Sequence, residues 1–260
     1  MKHDDLTIVL QGPTSTKNGL SLAHGIRRIC EYTKYTDNVI ISTWEKSRIK
    51  PSKSFLRKNA ITYIEDDINK YQDWYEHMNS TYQIITTLNG LRQVKTKFVI
   101  KARTDEYYTD LSKFIKVMKN EPEKMTTHNF FFRKDHGEKF HPSDHVIGGL
   151  TKNILAGFEV AKDRCQAKDW DDLFYSPIND RTSGCISPEA LIFTSFLKGK
   201  GIEVDYSKSK EITKANANVV DVMDMGKFFL CWGDNRTTHK NYEQIKSQYL
   251  QGDIRTMDEL

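Results

Sequence analysis

Cysteine is scarce in this chain of 260 residues, and what there is does not cluster. Cys30, Cys165, Cys185 and Cys231 lie far apart, with no C-x-x-C pair and no histidine at zinc-ligand spacing. That excludes a zinc ribbon and a disulfide framework, and leaves buried free thiols in a reducing compartment as the expectation. With 6 prolines and 14 glycines the chain is neither collagen-like nor low in complexity. No run of about 18 apolar residues occurs, so no membrane-spanning helix is expected. Met1-Lys2-His3-Asp4-Asp5 leads straight into a strand-like run with no apolar stretch of the signal-peptide kind, and a cytoplasmic protein is expected. In that compartment the retention-like tail Met257-Asp258-Glu259-Leu260 and the sequons at Asn79 and Asn235 are coincidences. The formal charge of +4 comes from interspersed rather than blocked charges. This argues against nucleic acid as a partner and suits an anionic small molecule.

What is present is enough apolar residue, 38% of the chain, to bury one large core. Leu6–Leu10, Val39–Ser42 and Ile61–Ile64 are short apolar runs ended by polar or turn residues, and a helical pattern through Leu20, Leu22, Ile26 and Ile29 separates the first two. Apolar positions Met78, Tyr82, Ile85, Leu88 and Leu91 recur at three and four residues, which predicts a long amphipathic helix over about Trp74–Val94. A strand, Phe98–Ile100, and a helix carrying Leu111, Phe114, Ile115 and Met118 follow. Continuous apolar strands alternating with helices predict an α/β protein with a mostly parallel sheet covered on both faces. Further on, Phe130–Phe132, Val146–Gly149, Glu203–Tyr206 and Phe228–Trp232 are strand candidates. Ser187-Pro188-Glu189 opens a helix with serine as cap and proline at its first position, and Tyr242–Leu250 closes the chain as a helix. A single domain is expected, with a nucleotide-binding type of doubly wound half over residues 1–120 and a second half over 121–260.

The chemistry concentrates at Lys101-Ala102-Arg103-Thr104-Asp105, where an apolar strand runs into a carboxylate beside two cations. The mouth of a central strand is where open α/β sheets bind phosphorylated ligands. A carboxylate there can hold a divalent metal against a diphosphate, with Lys101 and Arg103 on the phosphates. The competing reading is that Asp105 caps the next helix and Arg103 only pairs with it. The literal D-x-D, Asp169-Trp170-Asp171, follows a helix and reads as a solvated acidic turn.

Four blocks, Ile8-Val9-Leu10-Gln11-Gly12-Pro13, Ile40-Ile41-Ser42-Thr43-Trp44, Lys101–Asp105 and Ser143-Asp144-His145-Val146-Ile147-Gly148, in this order resemble the WavE family of lipopolysaccharide-synthesis proteins. The resemblance spans roughly Leu6–Leu197. It implies a GT-A-like (Rossmann-type) mixed sheet and a glycosyltransferase that uses a nucleotide-sugar donor. By the same resemblance Gln11, Gly12 and Pro13 would lie under the nucleotide, with Thr43 and Trp44 at the neighbouring strand mouth, and with Asn79 and Arg92 as further donor-site residues. Arg103-Thr104-Asp105 would stand for the metal-binding DxD. Because Arg103 replaces the first aspartate, Mn²⁺ or Mg²⁺ is either held by Asp105 with donor phosphates and water, helped by His239 after the last strand, or is dispensable. Glu189 and Asp144 are the candidate bases for the acceptor hydroxyl. Against these stand bland readings: Trp44 as core aromatic, Glu189 as a dipole-matched first-turn acid, His239 as a surface histidine.

The implied partners are a nucleotide-sugar and a glycan acceptor, with no nucleic acid; the aromatic-rich C-terminal third could support a homodimer. Two alternatives stay open. A sugar-phosphate nucleotidyltransferase would share the first strand's nucleotide site, although Gln11–Gly19 lacks the usual Gly-rich basic loop. A carbohydrate-binding protein that kept the fold and lost catalysis would also tolerate the missing aspartate.

Overall fold

The computed structural model describes residues 2–12, 29–44, 50–71, 78–129, 140–169, 187–232 and 238–241. Its frame is a seven-stranded sheet in the order β3-β2-β1-β4-β7-β6-β8. The strands are β1 (Leu6–Gln11), β2 (Asn38–Trp44), β3 (Ile61–Asp66), β4 (Phe98–Arg103), β6 (Met125–His128), β7 (Val146–Leu150) and β8 (Ala217–Val220). β1 to β4 are mutually parallel, β7 runs antiparallel to both β4 and β6, and β6 and β8 are parallel. The sheet is therefore mixed and mostly parallel, as expected from the apolar runs. A second, small sheet joins β5 (Tyr107–Tyr108), β9 (Phe228–Trp232) and β10 (Thr238–Asn241). Among the described residues no helix is long and apolar enough to cross a membrane.

β1 is the centre of this frame because all six of its residues are buried, and successive side chains serve opposite faces. Leu6, Ile8 and Leu10 join Ile100, Ala102 and Val146 in one core, with Phe114, Ile115 and Met118 of the helix α3 (Ser112–Asn120). Val9 joins Val99 and Ile147 in the other. That second face is covered by α2 (Met78–Leu91), α4 (Thr151–Ala167) and α5 (Pro188–Gly199); a short α1 (Lys53–Lys58) precedes β3, and α6 (Ser209–Asn216) precedes β8. α2 lies close on the sheet at Gly90, where a Cβ would stand 2.4 Å from Val9 Cγ1. α5 starts as its sequence predicts: Ser187 Oγ accepts the Ala190 N–H at 3.3 Å and Pro188 takes the first turn, where its missing N–H costs nothing.

One expectation changes and two fall outside the described residues. Glu203–Tyr206 is irregular chain entering a 3₁₀ turn rather than a strand, because Asp205 caps that turn through the Ser207 N–H at 2.9 Å. The strand candidate at 130–132 and the closing helix at 242–250 lie outside the described residues, and β6 at Met125–His128 is a strand the sequence reading did not pick. β7 belongs to the sheet but runs against β4, a direction its buried apolar pattern could not encode.

Candidate functional site

The chain leaves β1 on one side, toward β2, and β4 returns on the other, so β1 and β4 flank the point where strand order reverses. Open α/β sheets place ligands just outside the strand C-termini at such a point. Here the two strands end together, with Gln11 opposite Arg103. Gly12 N–H donates to the Ser42 carbonyl at 3.2 Å and Thr104 N–H to the Gln11 carbonyl at 2.8 Å, closing the mouth. Gly12 has φ +120°, and a Cβ on it would meet Thr104 Oγ1 at 2.9 Å, so this turn admits glycine alone without strain.

Alternation along β4 puts Val99, Lys101 and Arg103 on the face under α2. Lys101 is completely buried, and its ammonium donates to the Asp144 main-chain carbonyl. This corrects the sequence reading, which put Lys101 on the phosphates: it is sealed inside and ties down the segment entering β7. Burial pushes its pKa down to about 8, against the pull of Asp144. Arg103, one step further out, retains 23% side-chain exposure. Its Nε and Nη2 donate to Asp105 Oδ1 and Oδ2 at 2.9 and 3.0 Å, a bidentate fork, and Nε lies 3.4 Å from Glu106 Oε1. Burial alone would lower the Arg103 pKa, but Asp105 and Glu106 outweigh it and hold the guanidinium charged.

The remaining groups form a buried network of which the sequence reading had singled out Asp144 but not Glu106, His128, Tyr108 or Gln83. Glu106, fully buried, accepts from His145 Nδ1 at 2.6 Å. Burial disfavours the His145 imidazolium, yet Glu106 outweighs this and raises its pKa. His128 Nε2 and the Tyr108 hydroxyl share a hydrogen bond of 2.8 Å, and burial, reinforced by His145, drives the His128 pKa well down. Gln83 Nε2 of α2 donates to Asp144 Oδ2. Burial opposes the Asp144 charge, but Lys101 first, then His145 and Arg103, lower its pKa. The signal for Glu106 was its place beside Asp105. Gln83 carried none, because a polar residue on a helix is normally solvated.

Asp105 does not cap the next helix, whose start at Ser112 follows Leu111. Gln11, expected under the nucleotide, is buried under α2, its Oε1 accepting from Thr86 at 3.2 Å. Thr43 is likewise fully buried, whereas Trp44 is partly exposed and tilted against Tyr82 with ring centroids 5.7 Å apart. Arg92 forks onto Glu159 of α4 at 2.9 and 2.9 Å, an exposed pair that the structure does not bring to the network. Glu189 Oε2 accepts from Ser187 Oγ at 2.8 Å and lies 3.6 Å from His141 Nε2, so it is oriented and still 16% exposed. Pro13 lies outside the described residues. Asn79 and His239 are described through their backbone only, the first in the opening turn of α2, the second paired with Cys231 in β10.

The divalent cation fits this donor set poorly. Both Asp105 oxygens already accept Arg103 N–H groups, and a dication on them would face a fixed guanidinium. Among the described residues no group of three or more His, Cys, Asp and Glu is placed to hold a metal ion. Asp105 as metal ligand thus gives way to Asp105 as partner of Arg103, because the charge-assisted fork sets a fixed cation against both of its oxygens.

A family model described as WavE lipopolysaccharide synthesis matches residues 6–167, more than half of the chain. The chain belongs to the WavE family. The match contains β1, β4, the Arg103–Asp105 fork and Asp144, and stops before Glu189. No curated protein matches this WavE chain by sequence. Among solved structures it is similar to a putative glucose-1-phosphate thymidylyltransferase from Bacillus anthracis in complex with a sucrose, at 12% identity and TM-score 0.48 over 98% of this chain and 97% of that one. It is similar to the galactosyltransferase LgtC in complex with donor and acceptor sugar analogues, at 11% and 0.44 over 74% and 70%. It is also similar to glucosyl-3-phosphoglycerate synthase from Mycobacterium tuberculosis in complex with Mn²⁺, UDP-glucose and phosphoglyceric acid, at 7% and 0.41 over 78% and 82%.

Proposed function

We propose that this WavE protein is a glycosyltransferase that moves a sugar from a nucleotide-sugar to a glycan acceptor of the lipopolysaccharide type, in the cytoplasm. The observation that carries the reading is the fixed, charged Arg103 guanidinium at the β1–β4 mouth, in a chain of a lipopolysaccharide-synthesis family. A guanidinium held by one edge presents its other N–H groups in a geometry that suits phosphate oxygens. Trp44 supplies a partly exposed ring at the adjacent strand end, suited to stacking on the base.

In an inverting transfer, the acceptor oxygen attacks the anomeric carbon, the bond to the diphosphate oxygen breaks, and the diphosphate leaves with the electron pair. The acceptor proton passes to a carboxylate. Glu189 suits that role better than Asp144: it is partly exposed and held by Ser187 and His141. Asp144 is buried, bonded to Gln83 and kept charged chiefly by Lys101, which suits a positioning residue. Glu189→Gln is expected to slow transfer about 10²- to 10⁴-fold while leaving donor affinity unchanged.

The reading is tested by a thermal-unfolding panel of UDP-, GDP-, CMP- and dTDP-sugars. A true donor stabilises by mass action, about 2.7 kcal/mol at a hundredfold excess over its Kd. Stabilisation by none of them sinks the proposal. Pyrophosphate release from a nucleoside triphosphate and a sugar phosphate would replace it with a nucleotidyltransferase.

A further inference from the structure

Building on the glycosyltransferase reading, we infer that Arg103 stands where a divalent cation would, so that this protein binds the donor's diphosphate without metal and Asp105 serves as the positioning residue for Arg103.

Every carboxylate of the network already has its cation. Asp105 is paired with Arg103, Glu106 with His145 and, more distantly, Arg103, and Asp144 lies with Lys101, whose ammonium is bonded to its main-chain carbonyl. A free Mn²⁺ approaching the mouth finds a guanidinium across the oxygens it would need. A diphosphate meets the opposite situation. Among the described residues only Nε and Nη2 of Arg103 are engaged, and Nη1 donates to none. Because the side chain is 23% exposed while its partner carboxylate is only 7% exposed, the accessible side of the pair is the cationic one.

The register fixes this edge in place. Arg103 sits opposite Gln11, next to the Gly12 turn, and the Thr104 N–H is tied to the Gln11 carbonyl. Fork, strand pairing and glycine turn together leave the guanidinium little rotational freedom. Preorganised charge of this kind binds phosphate without the ordering cost of a flexible cation. Lysine could not reproduce it, since a single ammonium cannot hold both Asp105 oxygens and face a diphosphate at once.

The test is calorimetric titration of the full chain with UDP, GDP and CDP, in EDTA and again in Mn²⁺. The expected result is a nucleoside diphosphate that binds with the same Kd, within about twofold, in both buffers. Arg103→Lys is expected to weaken it at least tenfold in both. Arg103→Asp, which restores a pair of aspartates around Thr104, is expected to bind nucleotide only when Mn²⁺ is added. Wild-type binding that appears in Mn²⁺ and vanishes in EDTA overturns the inference and leaves the glycosyltransferase reading standing. Absence of binding in both buffers overturns the inference, while the glycosyltransferase reading stands or falls by the wider donor panel. The wild-type arm needs no variant to fold.

Discussion

Two arginine–carboxylate forks in this protein have almost the same geometry and opposite meanings. Arg103 holds Asp105 at 2.9 and 3.0 Å, and Arg92 holds Glu159 at 2.9 and 2.9 Å. The Arg92 pair lies between two helices with 45% and 37% of its side chains exposed, where water and salt screen it to a few tenths of a kcal/mol. The Arg103 pair sits at 23% and 7% exposure over a fully buried Glu106, at the point where strand order reverses. Surroundings, not hydrogen-bond length, decide which fork is a surface tie and which is the proposed anion site. Sequence alone named both arginines for the donor site; only their placement separates them.

The difference can be attacked from beneath, at Lys101. Replacing it with methionine leaves Asp144 buried with its chief counter-charge gone, and unfolding free energy measured in urea should fall by about 3–5 kcal/mol. A loss no larger than that of a surface lysine would mean that the network does not depend on paired charges. Next in size is Gly12→Ala, which forces a side chain into φ +120° against Thr104 and should cost about 1–3 kcal/mol. The same substitution at the exposed Gly201, where nothing lies within 4 Å of a new Cβ, removes the clash and isolates the backbone term.

His145 gives the network a pH signature that the outer fork lacks. Its pKa is raised in the folded state, so its stabilising contribution is fully present below the ordinary value of 6.5 and is lost as pH rises through the higher folded value. The stability gap between wild type and His145→Gln should therefore shrink as pH is raised past 6.5, read by urea unfolding at several pH values. A gap that widens has the wrong sign for an imidazolium held by Glu106. His128, with its pKa lowered by burial, contributes in the opposite direction and loses its share as pH falls below 6.5. Smallest of all, Arg92→Ala should change stability by no more than about 0.5 kcal/mol; a larger loss would erase the contrast between the forks.

Much of this architecture was readable beforehand. The apolar runs of β1, β2 and β4 are each buried, that of β3 forms a half-buried edge strand, and Ser187-Pro188 marks the start of α5 as capping chemistry requires. Even the fate of Lys101 was implicit, because strand alternation puts it beside Val99 under a helix. What was not readable depends on neighbours distant in sequence. β6 is Met-Thr-Thr-His, a polar string that is buried in a strand only because β7 and β8 flank it. Gln83 and Asp144 meet across 61 positions, and His145 and Glu106 across 39. The competing reading of Asp105, as partner to Arg103, describes its contacts, and that pairing turns an apparently broken metal motif into an organised cation.

The most direct test sets the two forks side by side. A nucleoside diphosphate chosen from the donor panel is titrated, by calorimetry in EDTA, into Arg103→Ala and Arg92→Ala. The expected result is wild-type affinity for the Arg92 variant and a loss of at least about tenfold, or 1.4 kcal/mol, for the Arg103 variant. Equal affinities in the two variants, both matching wild type, would contradict the assignment of the donor diphosphate to the mouth between β1 and β4.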